Sequence, residues 1–209
     1  MSPRPQMDHI RRPQILDAAA EVIAERGIAA TRIADVAERA GTSAPAVLYW
    51  FDKKEELLTE ALAHEEERFR GQLVERIEGT AASQRLAILI DASCGGSEWR
   101  LWLELWTRAL HDPEAGRTRR QLDRLWRDQI ATTVEAGQRE GEFASADACE
   151  VAAQLAAFLD GLAVQVALGD AEMPVERMSG LAREMAERLL ACPLPAPDGY
   201  GDELLEAVV

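Results

Sequence analysis

The sequence predicts an all-α protein, and three observations lead there. Ala, Leu, Arg and Glu dominate the 209 residues, whereas β-branched residues are sparse and aromatic ones make up only 5%. Apolar residues recur at helical spacing along most of the chain. Capping and breaking residues punctuate those runs where helices should start and stop. A chain with 47% hydrophobic and 29% charged residues is an ordinary globular one, long enough for one sizeable helical core or two smaller ones in series.

In chain order, residues 1–10 carry two prolines and no periodicity and read as a mobile arm. The first helix should run from about Arg12 to Arg26, with Pro13 in its first turn, where a missing N–H does no harm. Ile15, Leu16, Ala19, Val22 and Ile23 form its apolar stripe, and Gly27 ends it. A second helix follows, with Ile33, Val36, Ala37 and Ala40 at helical spacing. Gly41 then supplies the positive φ that a chain leaving that helix needs. Thr42 and Ser43 offer oxygens to cap a third helix, whose inward side is Val47, Trp50 and Phe51. Asp52 with Glu55 reads as a capping box for a long fourth helix reaching about Ile77, its buried side beginning with Leu57, Leu58, Ala61 and Leu62.

The remainder reads as helices only. Ser83 is placed to cap a helix through Ile90, and Gly95-Gly96-Ser97 is a break. The helix from Glu98 to His111 carries Trp99, Trp102, Leu103, Trp106 and Leu110 on one side. Asp112-Pro113 opens another, to about Glu140, with the stripe Leu122, Leu125, Trp126, Ile130 and Val134. Asp147 with Glu150 opens the most apolar helix, ending near Gly169. Pro174 opens the last, with Met178, Leu181, Met185, Leu189 and Leu190 inward. These elements divide into a smaller domain over residues 9–69, a larger domain over 70–192 and a tail over 193–209.

The stretch Thr31–Lys54 carries the strongest functional signal. A small residue (Ala37) where two helices cross, a Gly (Gly41) at the turn and an aliphatic residue (Val47) locking the second helix make a helix-turn-helix, spanning about residues 32–51. The net charge of −14 looks unsuited to DNA, so its distribution decides. Residues 1–60 hold 8 basic and 10 acidic side chains, net −2, and the rest of the chain holds 15 and 27, net −12. DNA contact must therefore use a local cluster on one face. The outward set on the reading helix is Thr42, Ser43, Ala44, Ala46 and Tyr49, with small side chains that permit close approach and methyls that touch thymine methyls. Lys53 and Lys54, the only lysines, suit a phosphate at the start of the fourth helix, as do Thr31 and Arg32.

The segment RRPQILDAAAEVIAERGIAATRIADVAERAGTSAPAVLYWFDKKEELL resembles the DNA-binding domain of the tetracycline-repressor (TetR) family. The features that match are Ile15, Leu16, Ala18, Ala19, Gly27, Thr31, Ile33-Ala34, Ala40-Gly41, Ser43, Phe51, Lys54 and Leu57. Where the family commonly has Leu-Tyr before a final aromatic pair, this chain has Val47-Leu48-Tyr49-Trp50-Phe51. Leu48 thus stands in the register of the tyrosine that touches backbone phosphate, and Tyr49 is the aromatic left to take part of that contact. The resemblance implies an N-terminal three-helix DNA-binding domain, joined by a long fourth helix to a ligand-binding and dimerisation domain. It implies a repressor released from a palindromic double-stranded operator by a small-molecule effector, acting as a homodimer in the cytoplasm.

For the effector, Trp99, Trp102, Trp106 and Trp126 concentrate in two successive helices. Such a stripe is either ordinary core or, with acidic groups nearby, the lining for an apolar or cationic molecule. Phe158, Asp160 and Gln165 on the most apolar helix complete the candidate set, Asp160 because a carboxylate there needs a partner, solvent or a cavity. Glu104 falls on the solvated side of its helix. The last two helices are the candidate dimer face, since Ala156, Ala157, Leu159, Leu162 and Ala163 permit close packing. The other reading is that they form the centre of their own subunit.

Other function classes find little support. Cys94, Cys149 and Cys192 are widely spaced, without CxxC or a nearby His pair, which argues for reduced thiols rather than a disulfide frame or zinc site. No cofactor or metal is expected. The N-terminus lacks a signal core, and Gln154, Asp160 and Gln165 interrupt the longest apolar run, so no membrane span is expected. His9, His64 and His111 are isolated, Glu65-Glu66-Glu67 lacks ligand spacing, and neither a nucleophile elbow nor a phosphate-cradling loop appears. An all-α enzyme is thus disfavoured, and a helix-turn-helix interaction adaptor remains the alternative.

Overall fold

The computed structural model describes residues 8–94 and 99–196. Among these the chain is helical throughout: α1 (Asp8–Ala30), α2 (Ile33–Arg39), α3 (Ala44–Trp50), α4 (Lys54–Ile77), α5 (Ala82–Ser93), α6 (Trp99–Ala109), α7 (Pro113–Glu140), α8 (Ala148–Ala167) and α9 (Val175–Leu190). Gly27, at φ 77° and ψ 159°, interrupts α1 where the sequence ends the first helix, and one further turn follows it. The N-terminal arm through residue 7, the Gly95-Gly96-Ser97 break with Glu98, and the tail beyond residue 196 lie outside the described residues.

The chain divides into two compact units. One comprises the chain up to Gly71 together with Glu104–Arg119; the other comprises Gln72–Leu103 and everything from Arg120 on. Within the first unit Arg108 Nη2 donates to the Glu55 carbonyl at 3.1 Å, joining the end of α6 to the first turn of α4.

In the first unit α1 packs on α2 and α2 on α3. The predicted stripe of α1 is buried, and Val36, Ala37, Val47, Phe51, Leu57, Leu58 and Ala61 complete the core. Arg39 ties α2 to α1 through Glu21 and Glu25, at 2.8 and 2.7 Å. The α4 cap differs from the expected box: the Asp52 N–H donates to Glu56 Oε2 at 2.8 Å, one residue beyond the anticipated Glu55.

In the second unit α9 packs against both α5 and α8. Ser83 does not cap α5; it lies inside the helix, and Glu142, from the connection after α7, caps it instead. The Glu142 carboxylate accepts from Ala82 N (2.9 Å), Ser83 N (3.0 Å) and Ser83 Oγ (2.6 Å). Those bonds, the Ser83 hydroxyl first, hold the Glu142 carboxyl below its usual value. Gly137 makes this possible. It lets the Phe143 ring close onto α7, where a Cβ would meet ring carbon at 2.2 Å. A buried ion pair joins α5 to α9: Arg183 bonds Asp91 with two nitrogens, one at 3.1 Å, and Ser179 Oγ adds a third bond at 2.9 Å. The same guanidinium donates to the Pro195 carbonyl, fixing the chain after α9. Beside this pair the Cys94 thiol is pushed up to about 12, by burial and by Asp91.

By length and composition α8 is apolar enough to cross a membrane, so the polar residues that seemed to exclude a span do not. Val151, Ala152, Leu155, Ala156, Leu159, Leu162 and Ala163 are nevertheless buried along one side of it, the pattern of a core helix.

Candidate nucleic-acid interface and effector residues

Helix α2 ends in a Schellman turn: the Thr42 N–H donates to the Ala37 carbonyl at 2.8 Å and the Gly41 N–H to Glu38 at 3.1 Å. Gly41 adopts φ 62°, so the turn relies on its missing side chain. Ser43, in extended conformation, then caps α3, its Oγ accepting from Ala46 N at 3.3 Å. Pro45 lies in the first turn, where it costs no hydrogen bond. Val47 and Phe51 are fully buried and hold α3 against α2.

The outward side of α3 follows from those two anchors. Tyr49 is 77% exposed and Leu48 45%, while Ser43 and Pro45 are also exposed. Thr42, Ala44 and Ala46 are half-buried. Trp50, expected inward, is half-exposed, and its ring meets Tyr49 edge-on, centroids 5.5 Å apart at 85°. Leu48 and Pro45 are the outward residues that the sequence reading left out. The signal was available, because 100° per residue counted from Val47 and Phe51 turns both away from the core.

The flanking candidates divide. Arg32, at the N-cap of α2, and Lys53 are exposed, and Lys54 is half-buried. Thr31 is only 1% exposed, with its hydroxyl and its N–H both given to the Gly27 carbonyl, at 2.8 and 3.1 Å. It braces the end of α1 rather than facing outward. Glu104, expected on a solvated face, is half-buried; burial raises its carboxyl and nearby Lys54 lowers it.

The effector candidates are drawn from both units. Trp99, Trp102, Trp126, Phe158 and Asp160 belong to the second unit and are all half-buried. The Trp99 indole N–H donates to the Ser93 carbonyl at 2.8 Å. Trp106 belongs to the first unit, where the Arg119 guanidinium stands 5.7 Å from its ring centroid. Gln165 is exposed, its amide making a long 3.5 Å contact to the Gly161 carbonyl of its own helix. Among the α6 residues whose burial is described the deeply buried one is Leu105, and Leu110, predicted inward, is 78% exposed. Among the described residues no group of three or more His, Cys, Asp or Glu side chains is arranged to hold a metal ion.

Comparison with known proteins bears on both units. Residues 15–61 match the family model for bacterial regulatory proteins of the tetR family, and residues 85–191 match that for the C-terminal part of BetI-type transcriptional repressors. The HTH-type transcriptional regulator BetI of Burkholderia mallei is 30% identical over 200 residues, 90% of this chain and 98% of its own. That of Cronobacter sakazakii is 28% identical over 201 residues, 92% and 97% of the two chains. Among solved structures, a transcriptional regulator from Saccharomonospora viridis in complex with choline superposes with a TM-score of 0.77 at 30% identity, over 87% of this chain and 98% of that one. A TetR transcription regulator from Haloarcula marismortui gives 0.77 at 26% identity, over 87% and 99%. With a helix-turn-helix held by Val47 and Phe51 and a second unit of the BetI type, this chain belongs to the TetR family of transcriptional regulators, as a ligand-responsive repressor and not an enzyme.

Proposed function

We propose that the chain works as a cytoplasmic homodimer that reads a near-palindromic operator and leaves it on binding a small quaternary ammonium compound of the choline kind. The first unit reads the DNA: α3 enters the major groove with Thr42, Ser43, Ala44, Ala46 and Tyr49, while Arg32, Lys53 and Lys54 meet phosphates. The observation that carries this is the outward side of α3, exposed over Leu48 and Tyr49, in a unit where Arg32 and Lys53 are exposed cations. A gel shift on the DNA flanking its own gene tests it. A discrete complex that survives competitor DNA is the expected result; salt-sensitive binding without sequence preference would favour the adaptor alternative.

The second unit takes the effector. Half-buried indole faces attract a cation without hydrogen bonds, as a methylated ammonium requires, and a carboxylate adds charge. Trp99, Trp102, Trp126, Phe158 and Asp160 supply that chemistry, and the choline complex of the Saccharomonospora viridis regulator supports the choice of ligand. Trp106 is left out because Arg119 already stands over its ring. Choline should quench tryptophan fluorescence saturably, less so in Trp102→Phe; an unresponsive spectrum would exclude this site.

On α8 the dimer face is the side of Ala157, away from the other residues the sequence suggested for it. Ala156, Leu159, Leu162 and Ala163 are buried in the chain's own core. Ala153, Ala157, Gly161, Val164 and the 77% exposed Leu168 form the opposite side of α8, and Leu181, Met185 and Leu189 on α9 are half-exposed. Two such faces make a self-complementary interface around a two-fold axis. Helix α4, continuous from the first unit into the second, is the covalent route by which effector binding changes the separation of the two reading helices.

A further inference from the structure

The assignment of α3 to DNA leaves open what chemistry it reads, and its outward arc answers that. Helical geometry orders that arc as Leu48, Pro45, Tyr49 and Ala46, with Ala44 at its edge. The side chains that recognise base edges by paired hydrogen bonds are Arg, Lys, Asn, Gln, Asp and Glu. None occurs between Ala44 and Trp50. The one polar group on the arc is the Tyr49 hydroxyl, on a ring packed edge-on against Trp50. Leu48 and Tyr49 are two of the few large apolar side chains that the described residues leave exposed, and they are adjacent on this short helix.

The residues that precede and follow the arc in the chain are of the opposite character. Arg32, at the N-cap of α2, and Lys53, three residues after α3, are exposed cations, and the Ser43 hydroxyl precedes the helix. An apolar helix face in a unit with exposed cations suits a duplex groove, whose rims are phosphates and whose floor has a single apolar group, the C5-methyl of thymine. At 1.5 Å per residue α3 is about 10 Å long, the span of roughly three base pairs.

We propose that α3 selects its half-site by apolar contact with thymine methyls, Leu48, which lacks the hydroxyl that lets the family's tyrosine touch phosphate, being the principal reader with Pro45 and Ala46 beside it. This rests on the DNA-binding reading above. Leu48 thereby becomes a specificity-determining residue, and hydrogen bonding to bases falls to the hydroxyls of Thr42, Ser43 and Tyr49, with Arg32 left to phosphate.

The test uses the full-length protein and duplexes it selects from a randomised pool. The best duplex is resynthesised with uracil replacing thymine, one position at a time, which removes the methyl and leaves base pairing intact. Each methyl under α3 should cost about fourfold in affinity, the value of one buried methylene. Leu48→Ala should weaken the thymine duplex by a similar factor and remove the distinction between thymine and uracil at its position. Lys53→Ala should weaken both duplexes equally. Leu48 is a surface residue, so an unchanged melting temperature is expected of Leu48→Ala and separates recognition from folding. Selected half-sites without thymine over those base pairs, or uracil duplexes bound as tightly as thymine ones, would overturn methyl reading while leaving DNA binding intact. Failure to enrich any sequence would overturn both.

Discussion

Helices α3 and α9 face opposite demands. Helix α3 has seven residues, buries only Val47 within itself, and leaves an apolar arc in solvent. Helix α9 has sixteen residues and buries Met178, Ala182, Ala186 and Leu190, together with the charged Arg183. The first keeps its reactive surface outside on a minimal anchor; the second encloses a charge at the centre of its unit. Substitutions on α3 should therefore change binding with little effect on stability, and substitutions around Arg183 the reverse.

The sharpest separation comes from the buried pair. Asp91→Ala strands the Arg183 guanidinium, and the expected loss is about 3–5 kcal/mol in urea unfolding. Replacing both, as Asp91→Leu with Arg183→Met, should recover most of it. Next comes Gly137→Ala, which pushes a methyl into the Phe143 ring and should cost about 1–3 kcal/mol. A cost well under about 1 kcal/mol would show that the ring yields and that the close approach is not required.

Removing the α5 cap with Glu142→Ala should cost about 1 kcal/mol at neutral pH. Because the folded carboxyl lies below the ordinary value of 4.5, the cap's contribution is complete above that pH and is lost as pH falls through the depressed one. The difference between wild type and variant in thermal unfolding should accordingly narrow below about pH 4.5. The smallest stability effect belongs to Lys53→Ala, which should leave unfolding within about 0.5 kcal/mol of wild type. It should nonetheless lower operator affinity for all sequences alike and make the salt dependence shallower by about 0.9, the value of one neutralised phosphate. Weakening at a single operator variant would place Lys53 on a base instead.

The contrast also explains what could be read from sequence. Helix boundaries were legible because Gly27, Gly41, Asp112-Pro113, Asp147 and Pro174 act locally, within a turn of themselves. The Glu142 cap on α5 was not, because the carboxylate is some sixty residues from the N–H groups it satisfies. Periodicity located α8 and α9, but on α9 it put Leu181, Met185 and Leu189 inward, where they are half-exposed, because Ser179 and Arg183 meet Asp91 of α5 only after the chain has folded. On α3 the outward arc is derivable from Val47 and Phe51; the sequence puts Leu48 in the register of a phosphate-touching tyrosine but leaves it out of the outward set. A hydroxyl near a helix start, as at Thr31, resembles a phosphate ligand in sequence, and in the fold the Gly27 carbonyl takes it.

A cation in the second unit and DNA under the first should oppose each other, and the release proposed for the repressor depends on that antagonism. Fluorescence anisotropy of a labelled operator duplex bound by the protein, titrated with choline, addresses it directly. The predicted result is a saturable fall to the value of free DNA, with choline binding weakened by operator by the same factor as operator binding is weakened by choline. An operator complex unchanged at choline concentrations that saturate the tryptophan response would contradict it.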